Sequence, residues 1–203
     1  MVFRSLALGA FLIGWAALLG TGCGPRAFVK GAYDSDVERA NLLTDQWSET
    51  DMQKAVAELV SSLSAHQAIA GASTPPVLMV TRLENKTSEH IDTQSITDMV
   101  TVELMRGGRV TFVDRAARED IAEEYEYHSS GMVEAPTRAG PGRQVGADFI
   151  VNGRVDSIVQ QAGREKTVYY KVTLNLTNLS TGLIVWSDHK QIRKLFRKRR
   201  VGL

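Results

Sequence analysis

Four histidines, one cysteine and a scatter of serines and carboxylates are the residues of this 203-residue sequence that could carry chemistry. His66, His90, His128 and His189 fall at no spacing that would pair two imidazoles on one side of a helix, so a metal site has no support. A lone cysteine, Cys23, can form neither an internal disulfide nor a cysteine-rich zinc site. His128 stands directly before Ser129 and Ser130, but neighbours on one chain lack the geometry for proton transfer and no third group orients them. An ordinary polar loop is the plainer reading there. His90 and Asp92 follow a short apolar run, where sheets of alternating strands and helices carry their sites. The same two residues also describe the capped start of a helix. Glu123, Glu124 and Glu126 suit the solvated side of an acidic helix. Phosphate-binding glycine loops and the nucleophile-elbow pattern are missing. These residues predict no enzyme, no cofactor and no metal.

Cys23 has a setting of another kind. Arg4 is the only charge ahead of it, and residues 6–20 run LALGAFLIGWAALLG without a charge before Thr21 and Gly22. A short basic start, an apolar stretch of this length and a small-residue exit predict a secretory signal peptide over residues 1–22. An uncleaved anchor is the alternative, since residues 5–22 are barely long enough to span a bilayer. Leu18-Leu19-Gly20-Thr21-Gly22-Cys23 resembles the lipobox of bacterial lipoproteins, with Gly20 where a leucine is usual. That resemblance implies cleavage before Cys23, a diacylglyceryl group on its sulfur and acylation of its new amine. Gly24 rather than Asp follows, which implies the outer membrane, with the protein facing the periplasm. Acyl chains contribute about 0.8 kcal/mol per buried methylene, so several anchor a soluble body without a spanning helix.

Charge is segregated along the chain. Residues 24–189 hold 16 basic and 23 acidic side chains. Seven basic residues crowd the end: Lys190, Arg193, Lys194, Arg197, Lys198, Arg199 and Arg200. Residues 193–203 form a basic tail suited to an anionic surface, and a solvated end without a partner fits it equally well. No basic sheet interleaved with aromatics suggests a nucleic-acid partner.

The elements between these ends follow from periodicity and breakers. Residues 23–50 are expected to be a lipidated start and an irregular arm, with Trp47 its packing anchor. Thr50 and Gln53 fit a capping box, and Met52, Val56, Leu59, Val60 and Leu63 then form one helical stripe. Val77-Leu78-Met79-Val80 is a buried strand, residues 83–92 a polar loop, and Asp92 the cap of a helix with Ile96, Met99, Val100 and Leu104 inside. A strand at 109–113, a helix through Ala117, Ile121 and Tyr125, and a loop over 129–142 come next. The last third is a three-stranded antiparallel meander of strands at 148–160, 168–177 and 183–192. Its middle strand alternates Val168, Tyr170, Val172, Leu174 and Leu176 with polar residues. The order predicts an α+β domain over residues 51–192, a mixed β-sheet with helices packed on its faces.

Within that domain Asn85-Lys86-Thr87-Ser88-Glu89-His90-Ile91-Asp92-Thr93, Gly146-Ala147-Asp148-Phe149-Ile150, the strand VYYKVTLNLTN over 168–178, and Val185-Trp186 resemble the LpoB family. These are outer-membrane lipoproteins that activate class A penicillin-binding proteins, the bifunctional peptidoglycan synthases. The resemblance implies a monomeric, non-enzymatic protein that binds a non-catalytic domain of the synthase and raises its polymerising and cross-linking rates. Such activation needs tighter binding to the active conformation, typically by about 1–3 kcal/mol. Asn85, Lys86, Thr87, Ser88, Glu89, His90 and Asp92 are the candidate partner-binding loop, with helix capping as the plainer role. Family members cross the periplasm on long proline-rich linkers. Residues 24–47 here reach at most about 80 Å and contain only Pro25. A second reading is an oligomeric envelope or secretion lipoprotein related to the curli secretion channel. That channel needs membrane-spanning hairpins, and only the C-terminal meander has strands long enough. An envelope hydrolase is a third, opposed by the missing catalytic set.

Metabolic labelling with palmitate tests the role of Cys23: the label is expected in the native chain and absent from Cys23→Ser. Undiminished labelling of the variant would return Cys23 to an ordinary thiol.

Overall fold

A computed structural model of the chain describes Asp36 and residues 43–198. Cys23, Arg199 and Arg200 lie outside the described residues, and the lipidation reading with them. Helix α1, Glu49–Ala65, begins at a capping box, though not the expected one. Ser48 is the cap: its amide donates to Asp51 Oδ2 at 2.9 Å, and the Asp51 amide returns a bond to Ser48 Oγ at 3.4 Å. Ser and Asp thus make the reciprocal pair that threonine and glutamine were expected to make, starting the helix earlier in the chain. The short helix α2, Gln67–Ala70, follows at once, and strand β1, Val77–Val80, comes after the two prolines.

Strand β2, Glu84–Lys86, falls inside the stretch expected to be a loop. It carries no apolar signal because all three side chains are exposed. Helix α3, Thr93–Arg106, opens as expected at Asp92, whose Oδ1 accepts from the Gln94 and Ser95 amides at 3.0 and 3.4 Å. Strand β3 is reduced to Thr111–Phe112, and helix α4, Arg118–Ser129, has no buried residue. Three strands of 14 residues complete the chain: β4, Phe149–Ala162; β5, Glu165–Asn178; and β6, Ile184–Arg197.

The fold is α+β, around one mixed sheet in the order β3-β1-β4-β5-β6. β1 runs parallel to both β3 and β4, while β4, β5 and β6 form the antiparallel meander. β4 is longer than β1, so its edge continues beyond β1, and β2 pairs there in parallel at Glu84↔Arg154 to Lys86↔Asp156. That vacant edge, not β propensity, makes a strand of three polar residues.

The meander's register decides what each side chain meets. Val151 stands opposite Leu176, Val155 opposite Val172, and Leu176 opposite Trp186. Strand side chains alternate, so the even positions of β5 and β6 and the odd positions of β4 share one face. All of Val168, Tyr170, Val172, Leu174 and Leu176 are buried on it, under α1 and α3. α4 reaches the other face at its first turn, where the Arg118 guanidinium donates to Met79 Sδ at 3.6 Å. β6 also runs further than expected, to Arg197. Arg193, Lys194 and Arg197, assigned from sequence to a basic tail, are therefore strand residues.

Gly153, in the middle of β4, is a steric requirement. A Cβ there would sit 2.0 Å from the Thr173 carbonyl oxygen and 3.0 Å from Leu83 Cδ2. Leu83, 2% exposed, fills the space over the glycine where the chain passes from β1 to β2. Gly153→Ala is expected to lower stability by about 3 kcal/mol, read from the urea midpoint, because strand pairing and Leu83 must both yield. An unchanged midpoint would show that β4 can shift at no cost.

Candidate functional site

The two groups of polar residues singled out from the sequence, the loop over 85–92 and the basic end, meet at Tyr170. This side chain comes from the middle strand and is fully buried on the helix-covered face. A buried phenol needs an acceptor, and Glu89 reaches in from the loop after β2 to accept its hydrogen bond. Burial, reinforced by the Glu89 carboxylate, pushes the Tyr170 hydroxyl above its ordinary range, so it stays a donor. The other oxygen, Glu89 Oε2, accepts from the Trp47 amide at 2.8 Å. The Trp47 indole then meets the Tyr170 ring edge-on, with centroids 5.3 Å apart and planes at 71°.

Lys194 closes the cluster from β6. Its position on the strand turns it inward, where it is only 4% exposed. A buried ammonium requires a paired anion and full hydrogen bonding. Asp51, 5% exposed on α1, supplies the anion. The carbonyls of Gln46 and Thr44 accept from Lys194 Nζ at 2.7 and 3.3 Å, and the Tyr170 ring lies 5.5 Å away. Just outside, Lys166 donates to exposed Asp45 at 2.6 Å. That hydrogen bond and the lysine charge hold the Asp45 carboxyl below the usual carboxylate range.

Residues 44–48 are thus fastened to the sheet by Lys166 of β5, Lys194 of β6 and Glu89 of the loop after β2, with Trp47 the anchor its size suggested. The site is a clamp on the arm. It contains no nucleophile beside a base, and its tyrosine is held protonated. Lys194 is corrected from a surface cation to a buried one. Tail and clamp look alike in sequence, because only the register of β6 turns one lysine inward while its neighbours point out.

The rest of the loop is knitted to itself. Asn85 Nδ2 donates to the Glu89 carbonyl at 2.8 Å, and Asn85 Oδ1 accepts from the Thr87 amide at 2.9 Å. Thr87 Oγ1 accepts from the Glu89 amide at 3.1 Å. Asp92 caps α3, as above. Lys86 pairs with Glu84 at 3.0 Å, and Ser88 and His90 are exposed. Of the tail residues, Arg197 pairs with Glu165 at 2.7 Å, and Arg193 and Lys198 are exposed. His128 accepts from the Ala139 amide at 2.8 Å and meets Glu124 at 2.9 Å, while Ser129 and Ser130 donate to the carbonyls of α4. That histidine and its serines therefore face different partners.

A wide cleft opens at the carboxyl ends of β1 and β3 beside α3. Arg82, Arg115 and Arg118 alternate there with Asp98, Asp114 and Glu119. Mixed charge of this kind selects no single sign of ligand. Among the described residues no group of three metal-ligating side chains occurs, and no helix is long and apolar enough to cross a membrane.

A family model described as peptidoglycan-synthase activator LpoB matches residues 51–192. The LpoB C-terminal domain from Escherichia coli is 19% identical, with 70% of this chain and 98% of that chain covered and a TM-score of 0.44. The corresponding domain from Salmonella enterica is 18% identical over the same shares, at a TM-score of 0.42. A solution structure of E. coli LpoB is 15% identical over 96% of each chain, at a TM-score of 0.40. No curated protein matches.

Breaking the clamp has a calculable cost. Lys194→Met leaves Asp51 buried without a counter-charge and is expected to destabilise by about 3–5 kcal/mol in urea unfolding. Asp51→Leu combined with Lys194→Met is expected to recover most of this, short of about 1 kcal/mol for the lost cap. A single-variant cost near zero would mean that water screens the pair.

Proposed function

The chain belongs to the LpoB family of peptidoglycan-synthase activators, and from that premise we propose that it is an outer-membrane lipoprotein that binds a class A penicillin-binding protein and activates it allosterically. The family match carries this reading, because residues 51–192 run from the first turn of α1 well into β6 and take in β1 to β5 entire. The family is regulatory, and the polar groups of this domain are spent on holding the arm and the loop rather than on a reaction. Activation requires only that the domain bind the synthase's active conformation more tightly than its resting one.

The loop after β2 is the proposed contact. Asn85, Thr87 and Glu89 lock it from beneath, which leaves Lys86, Ser88 and His90 exposed on a rigid support. Preorganised side chains lose little entropy when a partner arrives. With acyl chains on Cys23 and the arm fastened from residue 44, residues 24–43 set the reach, at most about 65 Å at full extension. That length favours a synthase domain that stands out towards the outer membrane.

Reconstitution with a purified class A synthase checks this. Glycan polymerisation is expected to rise when the chain is added, and Lys86→Glu with His90→Glu to reduce that gain about tenfold without changing the chain's own unfolding midpoint, equivalent to ~1.4 kcal/mol of coupling. Failure to bind or stimulate any class A synthase, with the chain recovered as a large ring, would favour the secretion-channel reading.

A further inference from the structure

The clamp explains Lys194 and Lys166, yet a set of cations around them is left unanswered. The β4–β5 turn puts Arg164 at the tip of the meander, and the Lys198 amide donates to the Arg164 carbonyl at 2.9 Å. The end of β6 therefore lies against that tip. Arg193 is exposed on the outward face, opposite Tyr169. The acidic groups at this end already have partners: Glu165 holds Arg197, Asp45 holds Lys166, and Asp51 holds Lys194. Arg164, Arg193 and Lys198 form no ion pair among the described residues, and Arg199 and Arg200 follow directly in sequence.

Two further observations give this end a direction. Leu195 is 72% exposed between Arg193 and Arg197, and Ile158, 55% exposed, stands across from Tyr169 on the same outward face. Bare aliphatic side chains set among cations suit a surface that offers both anions and an apolar layer. The arm also enters the clamp here, through Thr44 and Asp45 beside Lys194 and Lys166. The tether thus departs from the basic end. The remainder of the body is acidic, so an anionic surface would attract one end and repel the other.

We propose that the tip of the meander, Arg164, Arg193, Leu195 and Lys198, is a docking surface for anionic phospholipid headgroups. It rests on the lipid-anchor reading above and extends it: the acyl chains hold the protein at the membrane, and the basic tip sets which end faces it. Acidic helix α4, whose first turn meets β1 at Met79 near the opposite end of β4, then lies away from the headgroups.

Amine footprinting of the full chain, reconstituted by its own anchor, tests the surface. On vesicles of phosphatidylcholine mixed with phosphatidylglycerol, acetylation of Lys198 is expected to slow about threefold or more relative to phosphatidylcholine alone, with Lys86 unchanged. About 1 M salt, where the screening length falls to ~3 Å, should restore the rate. Arg164→Glu with Arg193→Glu, both exposed positions, should abolish the protection while circular dichroism stays native. Equal Lys198 rates on both vesicles, protection that survives the charge reversal, or slowing by an added acidic protein but not by the mixed vesicles would each overturn the proposal. Flotation with neutral vesicles reports the anchor alone, so loss of anchoring and loss of headgroup contact are separate results.

Discussion

An ammonium group buried against the inner face of a sheet has to be answered, and much of this domain is arranged around that answer. β6 turns Asp188, Lys190 and Lys194 towards α1, and α1 meets them with Ser62, Glu58 and Asp51. The match is metrical. Asp51, Glu58 and Ser62 are about 10 and 6 Å apart along the helix, and Lys194, Lys190 and Asp188 about 13 and 7 Å apart along the strand. Helix and strand run in opposite senses, so three polar pairs fix both the direction and the sliding position of α1. Hydrophobic burial alone is non-directional and would tolerate slippage. At the outer end of this row, the hydrogen bond from Ser62 Oγ at 2.5 Å holds Asp188 below the usual carboxylate range.

The same row makes the arm part of the domain. Asp51 both caps α1 through Ser48 and pairs with Lys194, so the helix start, the arm and the last strand share one carboxylate. Tyr170 and Glu89 add the loop after β2 to this junction. A family of activators must present a surface without chemistry of its own, and rigidity is what such a surface needs. Here it comes from polar groups in the core whose partners lie far away in sequence.

What the sequence made legible was the part that repeats. The alternation of β5 survives from Val168 to Leu176, because each inward residue of that stretch is buried. Asp92 caps α3 as its position ahead of the stripe suggested. β2 was invisible, since three exposed polar residues become a strand only where β4 leaves an edge free. Lys194 and Glu89 were noticed for the wrong reason. A lysine in a basic run and a glutamate in a polar loop both look solvated, and only the register of β6 and the depth of Tyr170 show otherwise. Ile121 and Tyr125 keep their helical spacing but stay only half-buried, because α4 lies at the margin of the sheet. Periodicity reports local faces; partners across the fold are set by topology.

The order in which the arm is fastened has a mechanical consequence. A pull on the arm first loads the long bond from Lys194 to the Thr44 carbonyl, 3.3 Å, and the exposed ion pair of Asp45 with Lys166. Next come the shorter bond to the Gln46 carbonyl, 2.7 Å, and then the Trp47 indole set edge-on against Tyr170. The later fastenings are the stronger ones. The joint is a graded one, which yields a few residues of slack under light load and grips harder as the load approaches the helix. Strain that entered the domain through the arm would be met at this joint before it reached the sheet.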